Sequence, residues 1–140
     1  MDFDNPSDDE IREILTTPMT VAVVGCSPDP TRESHKVARV LQTMGHRVIP
    51  VNPQARQILT LRCYGSLRQI EEPVGMVDVF RRSEFVPAIV EDTIAIGARI
   101  LWLQLGVIHE EAAARARSVG ITVVMDRCPA VEYRRLVSAD

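Results

Sequence analysis

The residues with chemistry to offer lie between Thr20 and Lys36, in the stretch TVAVVGCSPDPTRESHK. Thr20 to Val24 is a short apolar, β-branched run, the pattern of a buried strand. It meets Gly25 and then a small polar loop, Cys26 to Thr31, broken by two prolines. Beyond the loop, Val37, Val40, Leu41 and Met44 recur at three- and four-residue steps, which predicts a helix. A strand, a glycine turn and a helix start are the layout of an anion site. Glycine admits close approach of a ligand to the backbone, and the free N–H groups of a helix start favour negative charge. Arg32 and Lys36, the chain's single lysine, add positive charge there. The dinucleotide pattern G-x-G-x-x-G is absent, and Ser27 stands where its second glycine would let a pyrophosphate lie on the backbone. The plain alternative is a tight turn that binds nothing; the charges favour a phosphate-bearing ligand.

Alternating elements must position this stretch. Ser7 to Thr16 reads as a helix with a capping box from Ser7 to Glu10 and an apolar stripe of Ile11, Ile14 and Leu15. After the helix that follows Arg32, Gly45 is a natural stop and His46 to Val51 a second strand. Gln54 to Ile70 is irregular, with Ser66 as a cap for a short turn of helix. A third strand, Met76 to Phe80, carries an odd internal Asp78, which suits a partner subunit or a neighbouring arginine. Ser83 is positioned to cap a helix from Glu84 to Ile96, in which Pro87 falls in the tolerant first turn. A fourth strand follows at Arg99 to Leu103, then a helix opened near His109 and closed by Gly120. The fifth strand is Ile121 to Met125, and a last helix spans about Ala130 to Leu136. Strands alternating with helices predict an α/β fold. The expected arrangement is a single Rossmann-like, doubly wound domain over residues 1–140, with its core at about 15–136 and a five-stranded, mostly parallel sheet covered by helices on both faces.

Ligands of such sheets bind beyond the carboxyl ends of the strands. Strand one delivers Gly25, Cys26, Ser27, Arg32 and Lys36 to that edge. Strand two delivers Val51, Asn52 and Pro53, and strand three delivers Arg81, Arg82 and Ser83. Gln104 and Gly106 come from strand four, and Asp126, Arg127 and Cys128 from strand five. Arg32, Lys36, Arg81, Arg82 and Arg127 thus form a cationic crest in a chain of net charge −3. That crest suits an anion. Each arginine alone also suits a surface ion pair, and Asn52-Pro53 suits a turn.

Composition bounds the rest. The chain is 46% hydrophobic and 25% charged, as expected of a globular domain, and its acidic balance argues against general nucleic-acid binding. No apolar run is long enough to span a bilayer, and no secretory leader is evident. Three cysteines without C-x-x-C spacing suit reduced thiols in the cytoplasm. Cys26, at a helix start, is expected to have a depressed thiol pKa if solvent reaches it. The three histidines read as structural or exposed. No catalytic constellation, P-loop, nucleophile elbow or metal cluster is present, and catalysis by this chain alone is not expected.

Six stretches in order, VAVVGCSPDPTRESHKVARVL, RVIPVNP, CYGSL, VDVFRRSEFVPAIVEDTIAIGA, LWLQLGV and VVMDRC, resemble the small stand-alone CoA-binding proteins of bacteria and archaea. Those are Rossmann-like domains similar to the CoA-binding domain of succinyl-CoA synthetase α subunits and of ADP-forming acyl-CoA synthetases. The resemblance implies coenzyme A as the ligand, lying across the strand ends. It assigns the phosphates to Gly25, Cys26, Ser27, Arg32 and Ser34, and the adenosine border to Val51, Asn52 and Pro53. Phe80, Arg81 and Arg82 would line the other side, with Gln104 and Gly106 near the pantetheine arm. It also implies a binder, because the synthetases carry a phosphorylated histidine on a separate domain. CoA or an acyl-CoA is then the small-molecule partner, with no nucleic acid and no membrane, and a homo-oligomer or protein partner is left open. The rivals are a small NAD(P)-dependent oxidoreductase and an interaction module with a vestigial nucleotide site. Asn52 in place of an acid at the end of strand two speaks against the first.

Overall fold

The computed structural model describes residues 3–137. Five parallel strands form one sheet: β1 (Thr20–Val24), β2 (Arg47–Val51), β5 (Met76–Val79), β6 (Ile100–Leu103) and β7 (Thr122–Val124), in the order β2-β1-β5-β6-β7. All four pairings are parallel, with Val23 opposite Pro50 on one side and Asp78 on the other, and Asp78 opposite Trp102. The expected Rossmann-like α/β architecture is therefore present. The strands are short and apolar because both faces are covered, so no alternation with polar residues is needed.

Helices α1 (Asp8–Thr16), α2 (Glu33–Thr43) and α5 (Pro129–Leu136) cover one face, and α3 (Val86–Ile96) and α4 (Glu110–Ser118) cover the other. The second face buries an almost purely aliphatic cluster, including Val24, Val51, Val77, Val79, Leu101, Leu103 and Val123. The first face buries Val21, Val23, Leu41, Trp102 and all three cysteines. Alternate residues of each strand supply the two clusters, as the period of two requires.

Several local signals take the form the residues predict. Ser7 accepts from the Glu10 N–H at 3.2 Å and Glu10 reaches back to the Ser7 N–H at 3.3 Å, a complete capping box. His109 caps α4, its Nδ1 accepting from the Ala112 N–H at 3.0 Å. Two expectations change. The stretch read as irregular contains a hairpin, β3 (Gln57–Ile58) with β4 (Leu61–Arg62). Ser83 does not cap α3, which begins at Val86 after a turn of 3-10 helix over Ser83–Phe85. Instead its hydroxyl accepts from the Ile108 N–H at 2.9 Å, holding the loop after β6.

Candidate functional site

The strand order reverses between β1 and β5, and a crevice opens there at the carboxyl ends. One lip is the loop after β1. Gly25 begins it at φ +83°, its N–H donating to the Val51 carbonyl at 2.9 Å. A Cβ on Gly25 would stand 2.4 Å from the Phe80 carbonyl oxygen, so only glycine lets the β1 and β5 ends meet. The loop then folds on itself. Ser34 Oγ accepts from the Ser27 N–H at 2.9 Å, and Ser27 Oγ from the Asp29 N–H at 3.1 Å. The Asp29 carboxylate accepts from both the Thr31 N–H and its hydroxyl, which holds that carboxyl below its usual range. Arg32 then starts α2, whose first turn has no side-chain cap.

The other lip is residues 104–108, after β6. The Gly106 N–H donates to the Asp126 carboxylate at 2.8 Å, and the Val107 N–H to the Gln104 carbonyl at 2.8 Å. Gly106 turns the chain at φ +81°, and Asp126 itself sits at φ +59°, a left-handed position that costs a non-glycine residue free energy. Ser83 completes the anchorage.

Between the lips lies a cleft of about 390 Å³ lined by Gly25, Ser27, Arg32, Ser34, Phe80, Arg81, Arg82, Gln104 and Gly106. Glu33, Leu105 and Val107 also line it and were not anticipated. A smaller pocket of about 140 Å³ adjoins it through Gly25 and Arg81. Val51, Pro53 and Ile89 form its apolar wall and Ser66 and Asp92 its polar one. Ser66, Leu67 and Gly65 reach it because Tyr64 bridges the β2 edge at Val51, which places an irregular stretch beside the strand end. No local motif announces that contact.

Among the described residues, Arg32 and Arg81 make no ion pair, whereas Arg82 lies 3.5 Å from Glu84. Arg81 stacks over the Phe85 ring at 4.3 Å, which orients its guanidinium. Gln104 is only 7% exposed, and its side-chain oxygen has no hydrogen-bond partner. A buried acceptor without a donor carries a desolvation cost.

The remaining candidates lie away from the cleft. Lys36 stands one turn into α2 on its outer face, beside Arg39 and Thr43, because Ser34, Val37, Ala38 and Leu41 take the inner face. Arg127 donates to the Asp126 carbonyl at 2.8 Å and does not line the cleft. Asn52 is committed internally: its amide donates to the Cys26 carbonyl and its oxygen accepts from the Gln54 N–H, both at 2.9 Å. The Cys26 side chain points into the core and is fully buried. Desolvation, with Cys63 and Asp78 nearby, pushes its thiol up to about 12, so the depressed pKa expected of an accessible thiol is not realised. Cys128 is also buried.

Asp78 meets neither a partner subunit nor an arginine. It is fully buried in β5 between Val23 and Trp102, and neither carboxylate oxygen accepts a hydrogen bond. Burial pushes it up to about 8; the neighbouring Val79 N–H offsets only part of this. His46 is held neutral by burial, its Nδ1 accepting from the Met19 N–H at 3.2 Å and its Nε2 facing the Leu15 carbonyl at 3.0 Å. His35 is bonded to the Ser27 carbonyl at 2.9 Å. The cleft therefore presents cations, hydroxyls and an amide, together with the Glu33 carboxylate. No group of three or more metal-ligating side chains occurs among the described residues, and no helix there is long and apolar enough to cross a membrane.

The chain is 41% identical over 129 residues to the uncharacterized protein YneT of Bacillus subtilis, covering 92% of this chain and 96% of that one. A hypothetical protein from Pyrococcus horikoshii superimposes with a TM-score of 0.90 at 35% identity, covering 98% of this chain and 99% of that one. The ADP-forming acetate–CoA ligase I of Archaeoglobus fulgidus matches over 126 residues at 27% identity, covering 83% of this chain but 18% of the ligase. The family of CoA binding domains matches residues 19–134, which takes in both lips and both pockets, and the chain belongs to that family.

Proposed function

We propose that this protein binds coenzyme A or an acyl-CoA across the β1 and β5 ends and acts in the cytoplasm as a binder, without a complete catalytic apparatus of its own. The observation that carries this reading is the joined pair of pockets, with Gly25 and Arg81 common to both. The smaller, largely apolar pocket suits an adenine ring. The larger one offers the uncapped start of α2 together with Arg32 and Arg81 for phosphates. Gln104 lines the same pocket, on the side this reading gives to the pantetheine arm. Cys26 lines neither pocket, since its thiol is in the core and its carbonyl accepts from the Asn52 amide. The three buried free cysteines fit a reducing compartment.

The Asn52 amide is bonded to the Cys26 carbonyl and the Ser27 N–H to Ser34; CoA and NAD both carry a ribose and a pyrophosphate, so the choice between them is left to measurement. Isothermal titration calorimetry against CoA, acetyl-CoA, NAD and NADP tests the reading. CoA species should bind while NAD and NADP stay silent. Arg32→Ala and Arg81→Ala should each weaken CoA roughly 10-fold or more, as for the loss of one charge-assisted hydrogen bond. Binding of NAD with silence from CoA would overturn the assignment of ligand.

A further inference from the structure

The 104–108 lip exposes apolar surface that the fold itself does not use. Leu105 is 57% exposed and Ile108 48%, two of the four large apolar side chains so exposed among the described residues. Single exposed aliphatics are ordinary, but these two flank Gly106 on one turn, and Leu105 and the buried Val107 line the cleft wall. The turn is not a loose loop. Its backbone is tied to Val79, Asp126 and Ser83, and the His109 N–H approaches the Met125 sulfur at 3.4 Å. A fixed turn cannot fold its apolar side chains away, so Leu105 stays on the cleft wall and Ile108 stays exposed on the same turn.

The cleft is also polarised. Arg32, Ser27 and Ser34 stand with Glu33 on the β1 side, and Leu105 and Val107 with Gln104 on the β6 side. A ligand that matches both sides is anionic at one end and apolar at the other. We infer that the physiological ligand is a CoA thioester with an apolar acyl chain of several carbons, and that Leu105 and Ile108 receive that chain. This rests on the CoA reading above and adds the class of acyl group. Free CoA leaves the apolar lip in water, whereas an aliphatic chain leaving the cleft past Gly106 covers it.

Calorimetry with CoA, acetyl-CoA, butanoyl-CoA and octanoyl-CoA below its micellar concentration tests this, read as the ratio of the CoA Kd to the acyl-CoA Kd. The ratio should rise with chain length to roughly 10 for octanoyl-CoA, the effect of burying about two methylene groups. In the double variant Leu105→Ser/Ile108→Ser it should return to near one. Val119→Ser, which removes a comparably exposed side chain from the end of α4, should leave the ratio at its wild-type value. A ratio of one in the wild-type protein, with CoA still bound, would overturn the acyl inference and leave CoA binding intact; the lip would then serve a protein partner. A ratio that persists in the double variant would also overturn it. Silence from every CoA species would instead refute the CoA reading beneath it.

Discussion

The lip built by residues 25–34 is tied chiefly to itself, whereas the lip built by residues 104–108 is tied to distant parts of the chain. Ser34 holds Ser27, Ser27 holds Asp29, and Asp29 holds Thr31, all within a few residues. Across the cleft, Gly106 depends on Asp126 and Ile108 on Ser83, twenty and twenty-five residues away in sequence. Beyond its start, where Gly25 and Cys26 are held by Val51 and Asn52 at the end of β2, the first lip is a local motif. The second exists only once β5, β6 and β7 are side by side. The difference matches their chemistry: the self-tied lip presents polar groups and the start of α2, and the remotely tied lip presents apolar side chains.

The largest predicted effect lies in the strand between the lips and sets the conditions for comparing them. Asp78 has a folded pKa raised from 3.8 to about 8. Its contribution to stability is fully present below about pH 4 and is lost as pH rises toward 8, by up to ~1.4 kcal/mol per pH unit. Urea unfolding from pH 5 to 8 should show stability falling on this account. Asp78→Asn should flatten the profile and be the more stable protein at pH 8. A wild-type profile that is flat or rises across this range would mean that water or a local opening already solvates the carboxylate. The asparagine background then allows both lips to be compared at one pH.

Glycine separates the lips next. Gly25→Ala forces a left-handed alanine whose Cβ meets the Phe80 oxygen, and should cost roughly 3 kcal/mol and abolish CoA binding. Gly106→Ala has a similar positive φ but open space around the new Cβ, so it should cost only about 1 kcal/mol. Equal losses in urea unfolding would mean that the second lip is packed as tightly as the first, and the contrast between them would fail.

The same division between local and remote contacts decides what could be read from the residues alone. The capping box at Ser7, a helix start near His109, the five strands and the strand–glycine–helix lip all depend on neighbours in sequence, and each was legible. Ser83 was assigned to α3 because a cap is a local rule, but its hydroxyl is held by a backbone N–H from another loop. The β3–β4 hairpin was missed because its two-residue turn is Leu59-Thr60, both at positive φ, where Asn-Gly is the usual signal. The commitments of Asn52 to Cys26 and of the Cys26 thiol to the core are likewise tertiary. Helical periodicity did contain the information that Lys36 faces away from the inward stripe of α2; counting charge at a helix start obscured it.

Amide hydrogen exchange at two backbone positions gives the smallest effects and the sharpest division. Asp126→Ala removes the acceptor of the Gly106 N–H and leaves alanine in a left-handed position, so exchange at Gly106 should accelerate about 5-fold, in line with ~1 kcal/mol of lost hydrogen bonding. Ser34→Ala removes the acceptor of the Ser27 N–H, and exchange at Ser27 should accelerate by a somewhat smaller factor, because the rest of the loop keeps its own bonds. Each variant should leave the other amide unchanged, since no hydrogen bond links the two lips directly among the described residues. Acceleration at both amides in either variant would make the lips one cooperative unit. The local lip would then depend on the assembled sheet as much as the remote one does. If the exchange remains separate, ligand binding is what joins them: a molecule spanning Arg32 and Leu105 should slow exchange at Ser27 and Gly106 together, and only when it carries both an anionic and an apolar end.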